Sequence, residues 1–243
     1  MKNETVPVKP GFIYARPKKV IRLHWFNAIS WLVLTLSGLG IIRGSLRFMP
    51  HGYAEWMQNA VGGQFNLIVG HSLMGLLWAG VFAIFVLFNW SSVVWPFLKR
   101  ILSITPMSVL RDLWQMVVAI ANLFGLLKSA KLPPPGRYNG AQRLLGTMII
   151  ASSMVIALTG TLMFVLFLLT PMVVDGAVFR WALVAHAFFV GLVYIGLVAH
   201  IYYALVEDPE SLRSMQDGYL EEDYVKRHCT AWYDELKQQG RIR

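Results

Sequence analysis

Charge is scarce in this sequence, and unevenly so. Asp, Glu, Lys and Arg make up 14% of 243 residues, against about 25% in soluble domains. None occurs between Arg22 and Arg43, Glu55 and Lys99, Arg143 and Asp175, or Arg180 and Glu207. Each interval is long enough for a transmembrane helix, which needs about 20 mostly apolar residues. A water-soluble globular domain is thereby excluded, and the chain is an integral membrane protein. Cysteine is almost missing. Cys229 stands alone, which excludes an internal disulfide, a CxxCH haem attachment and a cysteine set for an iron–sulfur cluster. Acidic residues are few, 13 against 22 basic ones. A net charge of +9 would suggest nucleic acid in a soluble protein, but here topology accounts for it. The basic residues gather in the arm at 1–22 and in the segment 96–143, so both termini and the long middle loop are expected on the cytoplasmic side. No apolar stretch precedes residue 20, which argues against a cleavable signal peptide.

What is present is hydrophobic, 56% of the chain, and it reads as an all-α membrane four-helix bundle. After the basic arm at 1–22, spans are expected at about 23–42, 67–90, 143–170 and 180–206, followed by a mixed-charge cytoplasmic tail at 207–243. "GGQFN" and "NWSS" punctuate the second span at its ends. Pro171 stops the third. Residues 106–127 form an amphipathic helix on the cytoplasmic face, and "PPPG" at 133–136 a rigid turn. Trp25, Trp90, Trp95, Trp181, Tyr202 and Tyr203 near span ends read as interfacial belts. A faint internal echo runs through the spans. "LSG" at 36–38 answers "LTG" at 158–160, and "GH" at 70–71 answers "AH" at 185–186. A two-helix duplication and chance account for it equally well.

Four of the six histidines, His24, His71, His186 and His200, sit at these spans. Ionisable residues inside spans are costly and usually face the bundle interior for a functional reason. Ordered by depth they form two pairs: His71 with His186 towards the outer face, His24 with His200 towards the inner. His186 and His200 are fourteen residues apart, a rotation about 40° short of whole turns and a rise of about 21 Å, so one helix can present both rings on one side. Two imidazoles from facing helices are what a b-type haem requires, and four at two depths suit two such haems. An interfacial histidine bonded to a headgroup or carbonyl is the competing reading at any single position. His51 and His228 are read as surface residues.

"RLHWFNAISWLVLTLSG", the lone His71 early in the second span, "RYNGAQR" before the third, the His186/His200 pair and "DGYLEEDYVKRHCTAWYDEL" resemble the gamma, cytochrome b, subunit of respiratory formate dehydrogenases. Quinone-linked hydrogenase and thiosulfate reductase cytochromes are relatives of that family. The resemblance implies two haems b, an outer one on His71 and His186 and an inner one on His24 and His200. It also implies a menaquinone or ubiquinone site near the inner haem, with Asn139, Gln142 and His200. Asn139 is equally an ordinary helix N-cap, and the two roles are compatible. Two departures stand out: Gly140-Ala141 replaces the family's Ala-Gly order, and His228-Cys229 replaces a frequent His-His pair.

By this resemblance the chain sits in a prokaryotic cytoplasmic (inner) membrane as part of a hetero-oligomer. An iron–sulfur subunit and a molybdenum or tungsten catalytic subunit are its expected partners, alongside membrane lipid and quinone. The chain carries no site for oxidising formate, so primary chemistry belongs to those partners. Glu207 and Asp208 are candidate proton donors to quinone. Arg22 is either a haem-propionate partner or a topology anchor. A histidine-relay proton channel would need further charged groups within the spans, and none occurs. A haem-free anchor for a soluble dehydrogenase is the remaining rival.

Overall fold

The computed structural model describes residues 9–42, 50, 52–123, 125–126, 134–169 and 176–242. Its order is β1 (Phe12–Tyr14), α1 (Lys18–Ile41), α2 (Tyr53–Ala60), α3 (Gln64–Asn89), a π-helical turn at Trp90–Val94, α4 (Trp95–Ile101), α5 (Pro106–Leu123), α6 (Gly140–Leu169), α7 (Ala177–Tyr202), a second π turn at Tyr203–Glu207, α8 (Pro209–Asp217), β2 (Tyr219–Glu221), α9 (Glu222–His228) and α10 (Thr230–Gln238). Four continuous helical stretches, 18–41, 64–101, 140–168 and 177–207, are long and apolar enough to cross a membrane. The chain is a multi-pass helical membrane protein. Leu87 and Phe88 are 76% and 84% exposed, as side chains facing lipid should be.

The second span runs further than its punctuation suggests. "NWSS" does not end the helix; residues 90–94 pass through it as one π turn and the helix resumes at Trp95. Pro96, in the first turn of α4, has no amide hydrogen to donate and its ring crowds the carbonyl four residues back. A widened turn immediately before it relieves that crowding while keeping the backbone bonded. The amphipathic helix appears as expected in α5. Pro171, Pro133 and His51 lie outside the described residues.

The chain divides into two compact units. One, Arg22–Asn89 with Ser153–Gly191, holds stretches of α1, α3, α6 and α7 and so contains a four-helix bundle of its own. Its α1–α3 seam is antiparallel and can be followed turn by turn. Trp78 Nε1 donates to Asn27 Oδ1 at 2.8 Å. The Trp31 and Trp78 rings meet edge-on at 6.1 Å. A Cβ on Gly75 would lie 3.9 Å from Leu34, Ser37 meets His71, and Gly40 packs against Leu67 and Met57. Phe65 and Phe167, at 5.8 Å, tie α3 to α6.

The other unit, Met1–Ile21 with Trp90–Ser152 and Leu192–Arg243, is built differently. Here β1 and β2 form a two-stranded antiparallel sheet, Phe12 opposite Glu221 and Tyr14 opposite Tyr219. The arm and the tail, separate in the sequence reading, thus share one small core of Ile13, Ala15, Leu220, Val225, Trp232, Tyr233 and Leu236. Gly218 makes the join possible. Its φ is +92°, and a Cβ there would lie 2.6 Å from the Arg16 carbonyl, while its own carbonyl accepts from the amides of Ala15 and Arg16. Only glycine meets both demands. Elsewhere in this unit Asp112, 1% exposed, accepts from the Ser103 hydroxyl and pairs with Arg143 Nε at 3.0 Å, fastening α5 to the start of α6.

Candidate functional site

His71 enters the bundle from α3 and His186 from α7, each half-buried. The two rings are near enough for their charges to interact. Each is held from behind by a hydroxyl on a neighbouring helix. Ser37 Oγ on α1 lies 2.8 Å from His71 Nδ1, and Thr159 Oγ1 on α6 lies 3.0 Å from His186 Nδ1. Each hydroxyl also donates along its own helix, Ser37 to the Val33 carbonyl at 2.8 Å and Thr159 to the Val155 carbonyl at 2.7 Å. Glycine follows each hydroxyl residue in the chain, and each leaves room for an imidazole. A Cβ on Gly38 would come within 3.3 Å of His71 Cε1, and one on Gly160 within 3.2 Å of His186 Cε1. Neither hydroxyl was singled out as a site residue in the sequence. The only trace was the "LSG"/"LTG" echo.

His24, also in the bundle unit, is half-buried with its ring edge-on to Trp25 at 5.7 Å. Arg22 is exposed. His200 belongs to the other unit, where it is exposed and Arg16 lies close enough for its charge to be felt. Arg16 itself donates from Nε to Ser214 Oγ at 2.8 Å.

Asn139 and Gln142 are brought together as a reciprocal capping box. The Asn139 amide donates to Gln142 Oε1 at 3.0 Å, and the Gln142 amide to Asn139 Oδ1 at 2.9 Å. The amides of the cap residue and of the third residue of α6 are thereby satisfied, so the N-cap role of Asn139 is realised. The Asn139 side chain also lies near the Tyr203 hydroxyl. Since Tyr203 follows His200 by three residues, one turn of helix links Asn139 to the neighbourhood of His200. Trp25, Trp90, Trp95, Trp181 and Tyr202 are all exposed, as interfacial belts should be; Tyr203 is half-buried and turned inward. Aromatic identity alone could not separate it from Tyr202 beside it.

The two acidic candidates part company. Glu207 is exposed and accepts from the Tyr202 hydroxyl at 3.1 Å. Asp208 is 5% exposed. It caps α8 by accepting from the Ser211 amide at 3.2 Å and from the Ser211 and Tyr224 hydroxyls at 2.6 and 2.8 Å. Burial and the Asp208 charge push the Tyr224 hydroxyl far above the ordinary phenol range. Burial first, then Asp208, pushes the Cys229 thiol up to about 11, against the opposing influence of Arg137. Cys229 packs, partly buried, against the small core of this unit, and its raised pKa favours the thiol over the thiolate. His228 is exposed, stacked on Tyr224 at 4.6 Å, in keeping with a surface role.

Among the described residues, no group of three or more His, Cys, Asp or Glu side chains assembles around a common point. A bare metal ion is thus poorly served, whereas a pair of imidazoles from facing helices is a donor set that could hold a haem. The donor chemistry of His71 and His186 fits that group.

Residues 15–218 match the family model described as prokaryotic cytochrome b561. The chain belongs to that family. No curated protein matches it. A membrane cytochrome b is an electron-transfer protein, and the family generally binds haem b.

Proposed function

We propose that this cytochrome is the membrane di-haem subunit of a formate dehydrogenase-like respiratory complex. In this reading it passes electrons from an iron–sulfur subunit at the outer face, through two haems b, to menaquinone or ubiquinone near the cytoplasmic face. The juxtaposition of His71 and His186, from two different helix hairpins within one bundle, supports the reading most strongly. When bound, the haems supply reversible one-electron chemistry; the protein's share is ligation, positioning and exclusion of water. His71 and His186 would ligate the outer haem, His24 and His200 the inner one. The capping box fixes Asn139 and Gln142 at the start of α6, and His200 stands on α7, so the three proposed quinone residues are presented from helices. Quinone reduced near the cytoplasmic face would draw its protons from that side, and charge would then move against a field of about 2.3 kcal/mol per charge per 100 mV. Asp208 is occupied as a helix cap, which favours the exposed Glu207 as the route by which protons approach. The molybdenum or tungsten subunit is assigned the oxidation of formate, because this chain, with its single cysteine, has no cysteine set for iron–sulfur clusters.

The test is direct. Protein purified from membranes should carry two haems b per chain by pyridine haemochrome, and His186→Ala should remove one of them. Both haems persisting at full occupancy in His186→Ala would overturn the pairing, and a preparation without a Soret band would overturn the reading altogether. A co-purifying large subunit that oxidises hydrogen in place of formate would reassign the complex to the hydrogenase branch.

A further inference from the structure

A hydroxyl has one hydrogen. In Ser37 it is directed to the Val33 carbonyl at 2.8 Å, with Leu34 sharing it at 3.3 Å. In Thr159 it is directed to the Val155 carbonyl at 2.7 Å, with Ile156 at 3.2 Å. Back-bonding of this kind is the normal fate of Ser and Thr within an apolar helix. The oxygen then has only lone pairs left for the histidine beside it. With each hydroxyl hydrogen engaged by a carbonyl, the arrangement at 2.8 and 3.0 Å that satisfies every group has imidazole Nδ1–H donating and the hydroxyl accepting. A neutral imidazole carries one ring hydrogen, so in that arrangement Nε2 of both His71 and His186 keeps a bare lone pair.

We infer that Ser37 and Thr159 are matched positioning residues, each locking its histidine in the Nδ1–H tautomer so that Nε2 is ready to ligate a haem iron. The inference rests on the haem reading above and adds to it a cause for the ligands' protonation state. The two halves agree in detail. Each hydroxyl lies on the first helix of a hairpin and each histidine on the second. Each hydroxyl is followed by a glycine that stands against Cε1 of the same ring, at 3.3 and 3.2 Å from the position of a Cβ. The sequence echo "LSG … GH" and "LTG … AH" is thus one device used twice. The choice of a hydroxyl has physical sense. A carboxylate in the same place would favour imidazolium and add charge to an apolar bundle, whereas a hydroxyl already donating elsewhere orients the ring and leaves it neutral. Outer-shell partners of metal-ligating histidines do this work generally.

The experiment uses full-length protein in detergent, as wild type, Ser37→Ala, Thr159→Val and the double variant, with Ser37→Thr and Thr159→Ser as conservative controls. Loss of either hydroxyl should weaken retention of one haem by roughly tenfold or more. It should also raise that haem's midpoint potential, because Nδ1–H no longer lends electron density to the ligand, while the other haem's potential stays fixed. The conservative controls should restore both. In haem-depleted protein with 15N-labelled histidine, His71 and His186 should give single Nδ1–H tautomers in the wild type and mixtures in the variants. Two retained haems with unmoved potentials in the double variant would overturn the inference and leave the haem reading intact. Wild-type protein that binds no haem would overturn the haem reading, and an Nε2–H tautomer in the depleted wild type would overturn this inference independently.

Discussion

Asp112 shows what a single buried side chain can decide in this molecule. Its carboxylate is 1% exposed, held between the Ser103 hydroxyl and Arg143, with Arg111 Nε at 3.4 Å. Arg143 is itself mostly covered, its side chain 21% exposed. Asp112→Asn keeps the shape and the Ser103 bond but leaves a guanidinium without its counter-charge. Breaking a fully buried pair from one side costs about 3–5 kcal/mol; with Arg143 partly wet, about 2 kcal/mol is expected here. Thermal unfolding in detergent should show it as a lowered Tm with the haem spectrum unchanged, and an unshifted Tm would refute the role. Little of this was visible beforehand. Asp112 reads as one more charge on an amphipathic helix, because its partners stand 9 and 31 positions away and only packing brings them together. The four span histidines were legible for the opposite reason: an ionisable ring in an apolar run is conspicuous by itself. Ser37 and Thr159 were not, since hydroxyls within apolar helices ordinarily bond their own backbone, and nothing local marks the pair that also faces an imidazole.

Among the elements, the spans followed directly from uncharged intervals, because hydropathy over twenty residues is a summed signal that local irregularity hardly disturbs. Punctuation was less dependable. "NWSS" carries turn-forming residues, yet a helix that leaves the apolar region gains by keeping its backbone bonded, and the π turn before Pro96 lets it continue. The three-residue strands β1 and β2 were invisible for want of any period to read. Helix spacing itself is tuned at the histidines. Gly160 lets α6 approach so closely that an added methyl would stand 3.2 Å from His186 Cε1, tighter than ordinary contact. Gly160→Ala should therefore displace the ring by a few tenths of an ångström and lower haem content by about half. Gly75→Ala is the control, since its Cβ would meet Leu34 at an ordinary 3.9 Å and should leave haem content unchanged. Equal haem content in both variants would show that the crossing is not set by the glycine.

For the molecule as a whole, the distribution of charge predicts a sidedness that fusion reporters can read. Alkaline phosphatase fused in the 52–63 segment should be active, and fused after residue 240 inactive; the reverse pattern would invert the proposed path of electrons and protons. The sheet that joins Phe12–Tyr14 to Tyr219–Glu221 bears on assembly as well. Residues 12–14 leave the ribosome first, but the strand that completes them is made about two hundred residues later. Throughout synthesis of all four spans the arm has no strand to pair with, and it can close only when the last helix has been delivered to the same side of the bilayer. Completion of this small sheet is therefore a local record that an even number of crossings separates its two strands. A polypeptide that misses one span ends with its two strands on opposite sides of the lipid, where no hydrogen bond can join them.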